Sequence, residues 1–222
     1  DGVNFCDYSA RKSVESVYES LDRLNVDYID LINVHDIEFS DLEMVCKETL
    51  PALTELKTKG LVKHVGITNL TLRHFKYVIN NVPKGTVESI LSFCHYCLND
   101  DALIDYLDFF EQNDVGIINA SPFSMGLLTE RGAPEWHPAP KPLQDLCRKA
   151  VQHCMDKGKN IEQLAVSFSV SNPRIATTLF STTRSSSVLQ NIKWANEPTD
   201  EELLAEVRKI LEPRFRDTWL NS

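Results

Sequence analysis

The stretch Tyr28-Ile-Asp-Leu-Ile-Asn-Val34 is a short apolar run with β-branched residues, and it determines the fold class. Such a run between polar segments predicts a buried strand. A helix that Ser9 caps and that reaches Leu24 precedes it. The capping box Ser40-Asp-Leu-Glu43 follows it and opens a second helix, which ends at Gly60. This part of the chain therefore places a strand between two helices.

The same alternation continues along the chain. The pattern predicts strands at 62–67, 89–93, 115–119 and 175–180, and helices at 71–80, 101–112, 143–157, 161–171 and 185–195. A last helix opens at the box Thr199-Asp-Glu-Glu202 and reaches Leu211, and a long loop with Pro and Gly spans 121–142. Strands that alternate with helices predict a parallel sheet with crossover helices.

Two parallel architectures fit this alternation, a doubly wound sheet and a (β/α)8 barrel. The Gly-x-Gly-x-x-Gly signature of a dinucleotide-binding doubly wound sheet follows no strand in this sequence. Polar residues instead follow the predicted strands, where a barrel carries its active site. They are His35, Thr68, Asn69, His95, Ser121 and Ser181. We therefore predict an α/β fold, a partial (β/α)8 (TIM) barrel of about five βα units with C-terminal helices.

Composition excludes several functional classes. The 222 residues are 42% hydrophobic and 25% charged, with 23 Lys and Arg against 32 Asp and Glu, which gives a net charge of −9. Scattered acidic charge argues against nucleic acid as a partner, because phosphate contacts need clustered basic residues. Apolar runs of the roughly 20 residues that span a bilayer are absent from the sequence, so we expect no membrane partner.

The six cysteines indicate reduced thiols and a cytoplasmic protein. An even count alone does not predict disulfides in a chain of this length, and the sequence carries no signal peptide. Cys94 and Cys97 form a Cys-x-x-Cys pair with His95 between them, which raises the alternative of a zinc or redox site. A second ligand pair at zinc-finger spacing is missing, so we predict no metal site.

Several motifs, in their order and spacing, carry a resemblance to a known family. They are Val34-His-Asp-Ile-Glu-Phe39, Gly66-Ile-Thr-Asn69, Ser92-Phe-Cys-His-Tyr96, Ala120-Ser-Pro-Phe-Ser-Met-Gly-Leu-Leu-Thr129, Glu135-Trp-His-Pro138 and Gly158-Lys-Asn160. Together they resemble the aldo-keto reductases, and within them the L-galactose dehydrogenase type and related aldose dehydrogenases. The resemblance extends from Phe5 to Trp219, essentially the whole chain.

The resemblance implies hydride transfer between NAD or NADP and the C1 hydroxyl or carbonyl of an aldose. The second activity that it implies is the reduction of small aldehydes. The catalytic tetrad of the family is Asp, Tyr, Lys and His, and only the histidine has a counterpart, His35, which would orient the substrate oxygen. The other three belong to the first three βα units, and this chain matches strands four to eight. We therefore expect residues 1–222 to form one domain of the family that lacks its N-terminal third.

The resemblance also implies which residues bind the cofactor. Thr68 and Asn69 would hold the nicotinamide carboxamide, and Leu91 or Ser92 replaces the family's glutamine in strand six. The remaining cofactor residues would be Ser121, Pro122, Phe123, Met125, Gly126 and Leu127 near the pyrophosphate, and Ser181, Thr182, Arg184, Ser187, Gln190 and Asn191 near the adenosine phosphate. Arg184 could pair with the 2′-phosphate of NADP, so the choice between NAD and NADP stays open.

Two residues of the long loop, Trp136 and His137, are candidates for a substrate wall, since an indole face suits the apolar face of a sugar. Each has an equally good interpretation as a structural residue.

Two alternatives to an active enzyme remain. A chain without the tetrad Tyr and Lys is expected to be inactive alone, because general acid–base catalysis contributes about 10²–10⁴ in rate. It would then be a non-catalytic binding or regulatory module, or a truncated product. An incomplete barrel would also expose two parallel edges through which it could self-associate.

Overall fold

A computed structural model describes residues 6–219 of the chain. The chain divides into two compact units, one of residues 1–91 and 106–117 and the other of residues 92–105 and 118–222. The five strands have the spatial order β1-β2-β3-β4-β5, which is also their order in sequence. Strand pairs β1–β2 and β4–β5 are parallel, as the βα alternation predicts.

The first unit contains the helices and strands up to β3, and α5. Their bounds are α1 Ala10–Leu24, β1 Ile29–Val34, α2 Leu42–Met44, α3 Leu50–Thr58, β2 Val62–Asn69, α4 Leu72–Asn80, β3 Ser89–Phe93 and α5 Leu107–Gln112. Strands β3 and β4 contribute residues to both units. Helix α1 begins as predicted, because the Ser9 hydroxyl oxygen accepts a hydrogen bond from the backbone N–H of Lys12.

The second helix differs from the prediction. Asp41, not Ser40, is its N-cap, and its carboxylate accepts from the Glu43 N–H at 2.9 Å. The helix is also interrupted by a π-helical turn, Val45–Thr49, before α3. Pro51 is at the start of α3. Because proline has no N–H to donate to the preceding turn, a local widening of the helix accommodates it.

The pairing of β1 with β2 places Gly66 opposite Asn33. A Cβ atom on Gly66 would lie 2.2 Å from Asn33 Oδ1 and 2.3 Å from Ser89 Oγ, so no larger residue fits there without displacing polar side chains. Outside the sheet, Phe75 of α4 and Phe110 of α5 meet edge to face at 6.1 Å, and both rings are fully buried. The first unit thus buries an apolar core behind a strand pair with polar interior side chains.

The second unit contains the remaining elements. Their bounds are β4 Gly116–Ala120, α6 Lys141–Asp156, α7 Ile161–Ser169, β5 Thr177–Leu179, α8 Ser185–Ala195 and α9 Glu201–Leu211. Helix α6 packs on α9, and α7 packs on α8. Three predictions need correction: β5 is shorter than 175–180, Asp200 rather than Thr199 caps α9, and residues 102–106 form a 3-10 helix before α5. Asp100 explains the last difference, since its carboxylate accepts from the Ala102 N–H and fixes a tight first turn.

Candidate functional site

In the first unit, the polar residues that follow β1 and β2 lie together. The Asp36 N–H donates to Thr68 Oγ1 at 2.8 Å, and the Thr68 hydroxyl donates to Asp36 Oδ1 at 3.4 Å. The His35 Nδ1 atom is 3.3 Å from Asp36 Oδ2, and the His35 side chain is 79% exposed. The imidazole is therefore attached to the strand end through Asp36, with its other ring nitrogen available to a substrate oxygen.

Asn69, the last residue of β2, is buried. Its Nδ2 donates to the Thr71 carbonyl at 2.8 Å, while its Oδ1 has no hydrogen-bond partner among the described residues. A buried acceptor without a donor is costly, so a ligand N–H that meets Asn69 Oδ1 would gain a strong contact. The role of Asn69 toward a carboxamide stays a prediction.

Two residues near His35 were not predicted as functional. The Glu38 carboxyl oxygens are buried and have no side-chain partner in the part of the chain that the structure describes. Burial, reinforced by the charge of Asp36, raises the pKa of Glu38 to about 7. The Tyr8 hydroxyl donates to the carbonyls of His35 and Asp36 at 2.9 and 2.8 Å, and burial raises its pKa. Tyr8 is therefore a backbone anchor and not a proton donor for a substrate. Glu38 lies in the motif Val34–Phe39, in which the sequence analysis singles out only His35 as functional.

In the second unit, the end of β3 is buried and polar. Ser92, predicted to contact the cofactor, is completely buried, and its hydroxyl has no partner among the described residues. Beyond it, His95 Nδ1 lies 2.8 Å from Asp100 Oδ2, and both side chains are buried. His95 is thus held by a carboxylate.

The turn that follows β4 has a strained backbone. Ser121, Ser124 and Met125 have φ values of 64°, 46° and 55°, and Gly126 has 102°. Left-handed conformations at non-glycine residues cost on the order of 1–3 kcal/mol each and concentrate at binding sites. The Ser124 hydroxyl donates to Asn99 Oδ1 at 2.6 Å and contacts the Cys97 sulfur at 3.1 Å, which holds the turn in place. Pro122, Phe123 and Leu127 complete this predicted cofactor loop.

A cavity of about 870 Å³ opens at the N-terminus of α8. Its lining brings together seven predicted cofactor residues: Phe123, Ser181, Thr182, Arg184, Ser187, Gln190 and Asn191. It also includes Arg131, Glu162 and Trp194, which sequence reasoning missed because no motif marks them. Arg184 is the N-cap residue of α8, and among the described residues its side chain makes no capping hydrogen bond to the helix. A helix N-terminus with two guanidinium groups nearby is suited to bind an anion.

The two candidate substrate residues have opposite surroundings. Trp136 is 70% exposed, whereas His137 is buried. The Ala139 N–H donates to His137 Nδ1 at 3.0 Å, so Nε2 carries the proton and donates to the Ser124 carbonyl at 3.1 Å. His137 thus joins two parts of the long loop, and its substrate role stays a prediction.

The described residues 6–219 contain no group of three or more potential metal ligands. All six cysteines are free thiols, and burial raises the pKa of Cys97 and Cys94. No helix in the described part is long and apolar enough to cross a membrane.

The model of the aldo/keto reductase family matches residues 2–212. The chain is 46% identical over 217 residues to L-galactose dehydrogenase of Arabidopsis thaliana, which covers 96% of this chain and 68% of that protein. It is 27% identical over 163 residues to D-arabinose 1-dehydrogenase of Saccharomyces cerevisiae, covering 70% of this chain and 48% of that protein. This chain thus spans between about half and two thirds of these relatives.

Solved structures agree on the fold. The holo form of the aldo-keto reductase AKR11C1 from Bacillus halodurans superimposes with a TM-score of 0.73 at 23% identity, covering 94% of this chain and 69% of that one. The glycerol dehydrogenase AKR11B4 from Gluconobacter oxydans gives 0.73 at 19% identity, covering 96% and 68%. The five-stranded parallel sheet with its helices is therefore a partial (β/α)8 barrel, as predicted.

Proposed function

This chain belongs to the aldo/keto reductase family, and from that premise we propose that it serves hydride transfer between NAD or NADP and the C1 hydroxyl of an aldose such as L-galactose, giving the lactone. Reduction of small aldehydes is the second activity to test. The observation that carries the proposal is the 46% identity to an L-galactose dehydrogenase over 96% of the chain. We further propose that residues 1–222 form one domain of a longer barrel.

The residues present fit a nicotinamide dinucleotide. Asn69 Oδ1 and Ser92 Oγ are buried polar atoms that find no hydrogen-bond partner within residues 6–219, as expected of groups that meet a polar ligand. The cavity at the N-terminus of α8 offers Arg131 and Arg184 to phosphate oxygens. A bound nicotinamide dinucleotide supplies the hydride acceptor for alcohol oxidation.

His35 is the proposed substrate-orienting residue. Its contact with Asp36 favours a proton on Nδ1, which leaves Nε2 as the atom that meets the substrate oxygen. Proton removal from the C1 hydroxyl needs a further group. Tyr8 does not provide it, because its hydroxyl is committed to two backbone carbonyls. We therefore propose that turnover depends on a proton acceptor from outside residues 1–222. A non-catalytic cofactor-binding protein is the alternative that this deficit favours.

The charge of the cavity bears on the choice of cofactor. The cavity lining carries two guanidinium groups, those of Arg131 and Arg184, and one carboxylate, that of Glu162. The Oε1 atom of Glu162 accepts a hydrogen bond from the Glu130 N–H. The excess of guanidinium charge favours the additional 2′-phosphate of NADP over NAD. Arg184→Ala is expected to weaken NADPH binding about tenfold and NADH binding less than twofold, the loss of one charge-assisted contact.

The test has two stages. The 222-residue chain is titrated with NADH and NADPH by fluorescence, and binding of either supports the cofactor part of the proposal. The longest natural form of the protein is then assayed with L-galactose and NAD⁺ or NADP⁺, with His35→Gln beside it. We expect lactone formation that His35→Gln reduces about 10²-fold, the effect of a misplaced reacting oxygen. Dinucleotide binding without lactone formation, in the form that carries a complete tetrad, would support the non-catalytic alternative. The cytoplasmic location also stays a prediction.

A further inference from the structure

The C-terminal segment of residues 212–219, here termed the strap, is tied to the loop that follows β3. The Arg216 N–H donates to the Asn99 carbonyl at 2.9 Å. The guanidinium of Arg216 donates from Nε to Asp101 Oδ1 at 2.8 Å and from Nη1 to Asp105 Oδ2 at 2.7 Å. Asp101 is buried, and Arg208 of α9 contacts its other oxygen at 2.9 Å. One residue of the strap thus makes a backbone bond and two ion pairs to a single loop.

That same loop holds the strained turn. Asn99, whose carbonyl binds the strap, uses its side-chain oxygen to accept from the Ser124 hydroxyl. Asn99 is almost completely buried, so this contact is not shared with solvent. A chain of short contacts therefore leads from Arg216 through Asn99 to Ser124, within the second unit.

A second contact reaches the turn from the end of the strap. The Trp219 ring meets the His137 ring edge to face at 4.9 Å, and His137 Nε2–H donates to the Ser124 carbonyl. The strap therefore supports Ser124 twice, through its side chain by way of Asn99 and through its carbonyl by way of His137. A left-handed Ser124 persists only where its surroundings fix it.

The turn contributes to the cavity at α8. Phe123 precedes Ser124 and lines that cavity together with Ser181 and Arg184. A displacement of the turn would alter the wall against which a dinucleotide lies.

We propose that Arg216 is a positioning residue for dinucleotide binding: with the strap, it holds the Ser121–Gly126 turn in its left-handed conformation through Asn99 and His137. This inference rests on the proposed function for the identity of the ligand. The contacts between strap and turn do not depend on it.

The test uses Arg216→Gly, since glycine adopts the φ of 65° at this position and removes only the side chain. The matched control is Arg214→Ala, because Arg214 lies on the same strap and its ion pair, with Asp217 at 3.2 Å, stays within the strap. Both variants lose one positive charge. Arg216→Lys is the conservative variant, which can restore one ion pair but not both.

Hydrogen exchange of the ligand-free proteins is measured first. We expect Arg216→Gly to accelerate amide exchange at residues 121–127 at least tenfold, with no comparable change in α1, and Arg214→Ala to leave the turn unchanged. Dissociation constants for NADH and NADPH should rise about tenfold in Arg216→Gly, about threefold in Arg216→Lys and less than twofold in Arg214→Ala. A purely structural role would accelerate exchange throughout the second unit and leave the turn no more affected than α6.

Unchanged exchange at 121–127 in Arg216→Gly would overturn the inference, as would equal losses of affinity in the two arginine variants. If Arg216→Gly does not fold, the same comparison is made between Arg216→Lys and Arg214→Ala. If the unaltered chain binds neither dinucleotide, the proposed function fails, and exchange at the turn alone decides whether the strap holds it.

Discussion

The polar residues at the strand ends differ between the two units in exposure and in hydrogen bonding. In the first unit, His35 is largely exposed, and the Oδ1 atom of Asn69 has no donor among the described residues. In the second, His95 is buried against Asp100, and both ring nitrogens of His137 are bonded within the long loop. The strand-end histidine of the first unit is thus open to a ligand, whereas the two buried histidines of the second unit are bonded within the protein.

The difference corresponds to two separate requirements of an enzyme that uses a dinucleotide cofactor. Binding the cofactor phosphates needs a rigid frame, and the strained turn and cavity of the second unit are proposed to form it. Positioning a reacting oxygen needs an accessible side chain, and His35 is the residue proposed for that role. Five predictions test this division, from the largest expected effect to the smallest.

The largest effect is expected at Asp101. This carboxylate is only 9% exposed and meets both Arg208 and Arg216. Asp101→Ala removes the buried carboxylate that Arg208 and Arg216 share and leaves Arg216 with Asp105 alone. It should lower the free energy of unfolding by about 3 kcal/mol. The control is Asp30→Ala in the first unit, whose pair with Lys63 is exposed and should contribute less than about 0.5 kcal/mol. Urea unfolding measures both, and similar losses would contradict the comparison.

The second prediction concerns Gly66, which lies beside Asn33 Oδ1 and Ser89 Oγ, two buried atoms with no hydrogen-bond partner among the described residues. It tests whether the interior of the first unit can make room for an added methyl group. Gly66→Ala places a Cβ 2.2 Å from Asn33 Oδ1 and should destabilise by about 2 kcal/mol, the cost of overpacking. Gly116→Ala is the matched control, since its Cβ would meet nothing nearer than the Glu88 carbonyl at 3.5 Å. Thermal unfolding distinguishes them, and a tolerated Gly66→Ala would show that this interior can yield.

The sequence predicts the fold better than the site. Strand β3 has the predicted bounds, because a buried parallel strand is a continuous apolar run that periodicity detects. The π-turn at Val45–Thr49 was missed, since its cause, Pro51, also suits an ordinary helix start. His35 was found through its motif, whereas Arg131 and Glu162 line the cavity from distant parts of the chain with no local signal. Asn99 and Arg216 depend on tertiary pairing, which spacing cannot show.

Glu38 gives the first unit a pH dependence of its own. Its pKa is raised from 4.5 to about 7 by burial, so the unfolded state releases the proton first as pH rises. Stability is therefore lost between about pH 4.5 and 7. Glu38→Gln should raise the melting temperature at pH 8 by several degrees and leave it unchanged at pH 4.5. An equal gain at both pH values would exclude titration as the cause.

His137 should give the second unit the opposite dependence. Burial lowers its pKa from 6.5, so the unfolded state takes up a proton first as pH falls, and stability is lost below about pH 6.5. One proton limits the slope to about 1.4 kcal/mol per pH unit. His137→Gln should remove this loss of stability at low pH, and unfolding curves at pH 5 and pH 7.5 measure it. His153→Gln, a change in a half-buried histidine of α6, is the control.

The smallest effect on stability is expected at the residue with the largest proposed effect on activity. The His35 side chain is 79% exposed and its one described polar contact, with Asp36, is 3.3 Å long. His35→Gln should therefore change the free energy of unfolding by less than about 0.5 kcal/mol. Asp36 can keep its bonds to Thr68 in the variant, so the strand end has no reason to rearrange. A loss above 1 kcal/mol in urea unfolding would mean that the His35 side chain stabilises the fold. The strand-end histidine of the first unit would then resemble the buried histidines of the second unit.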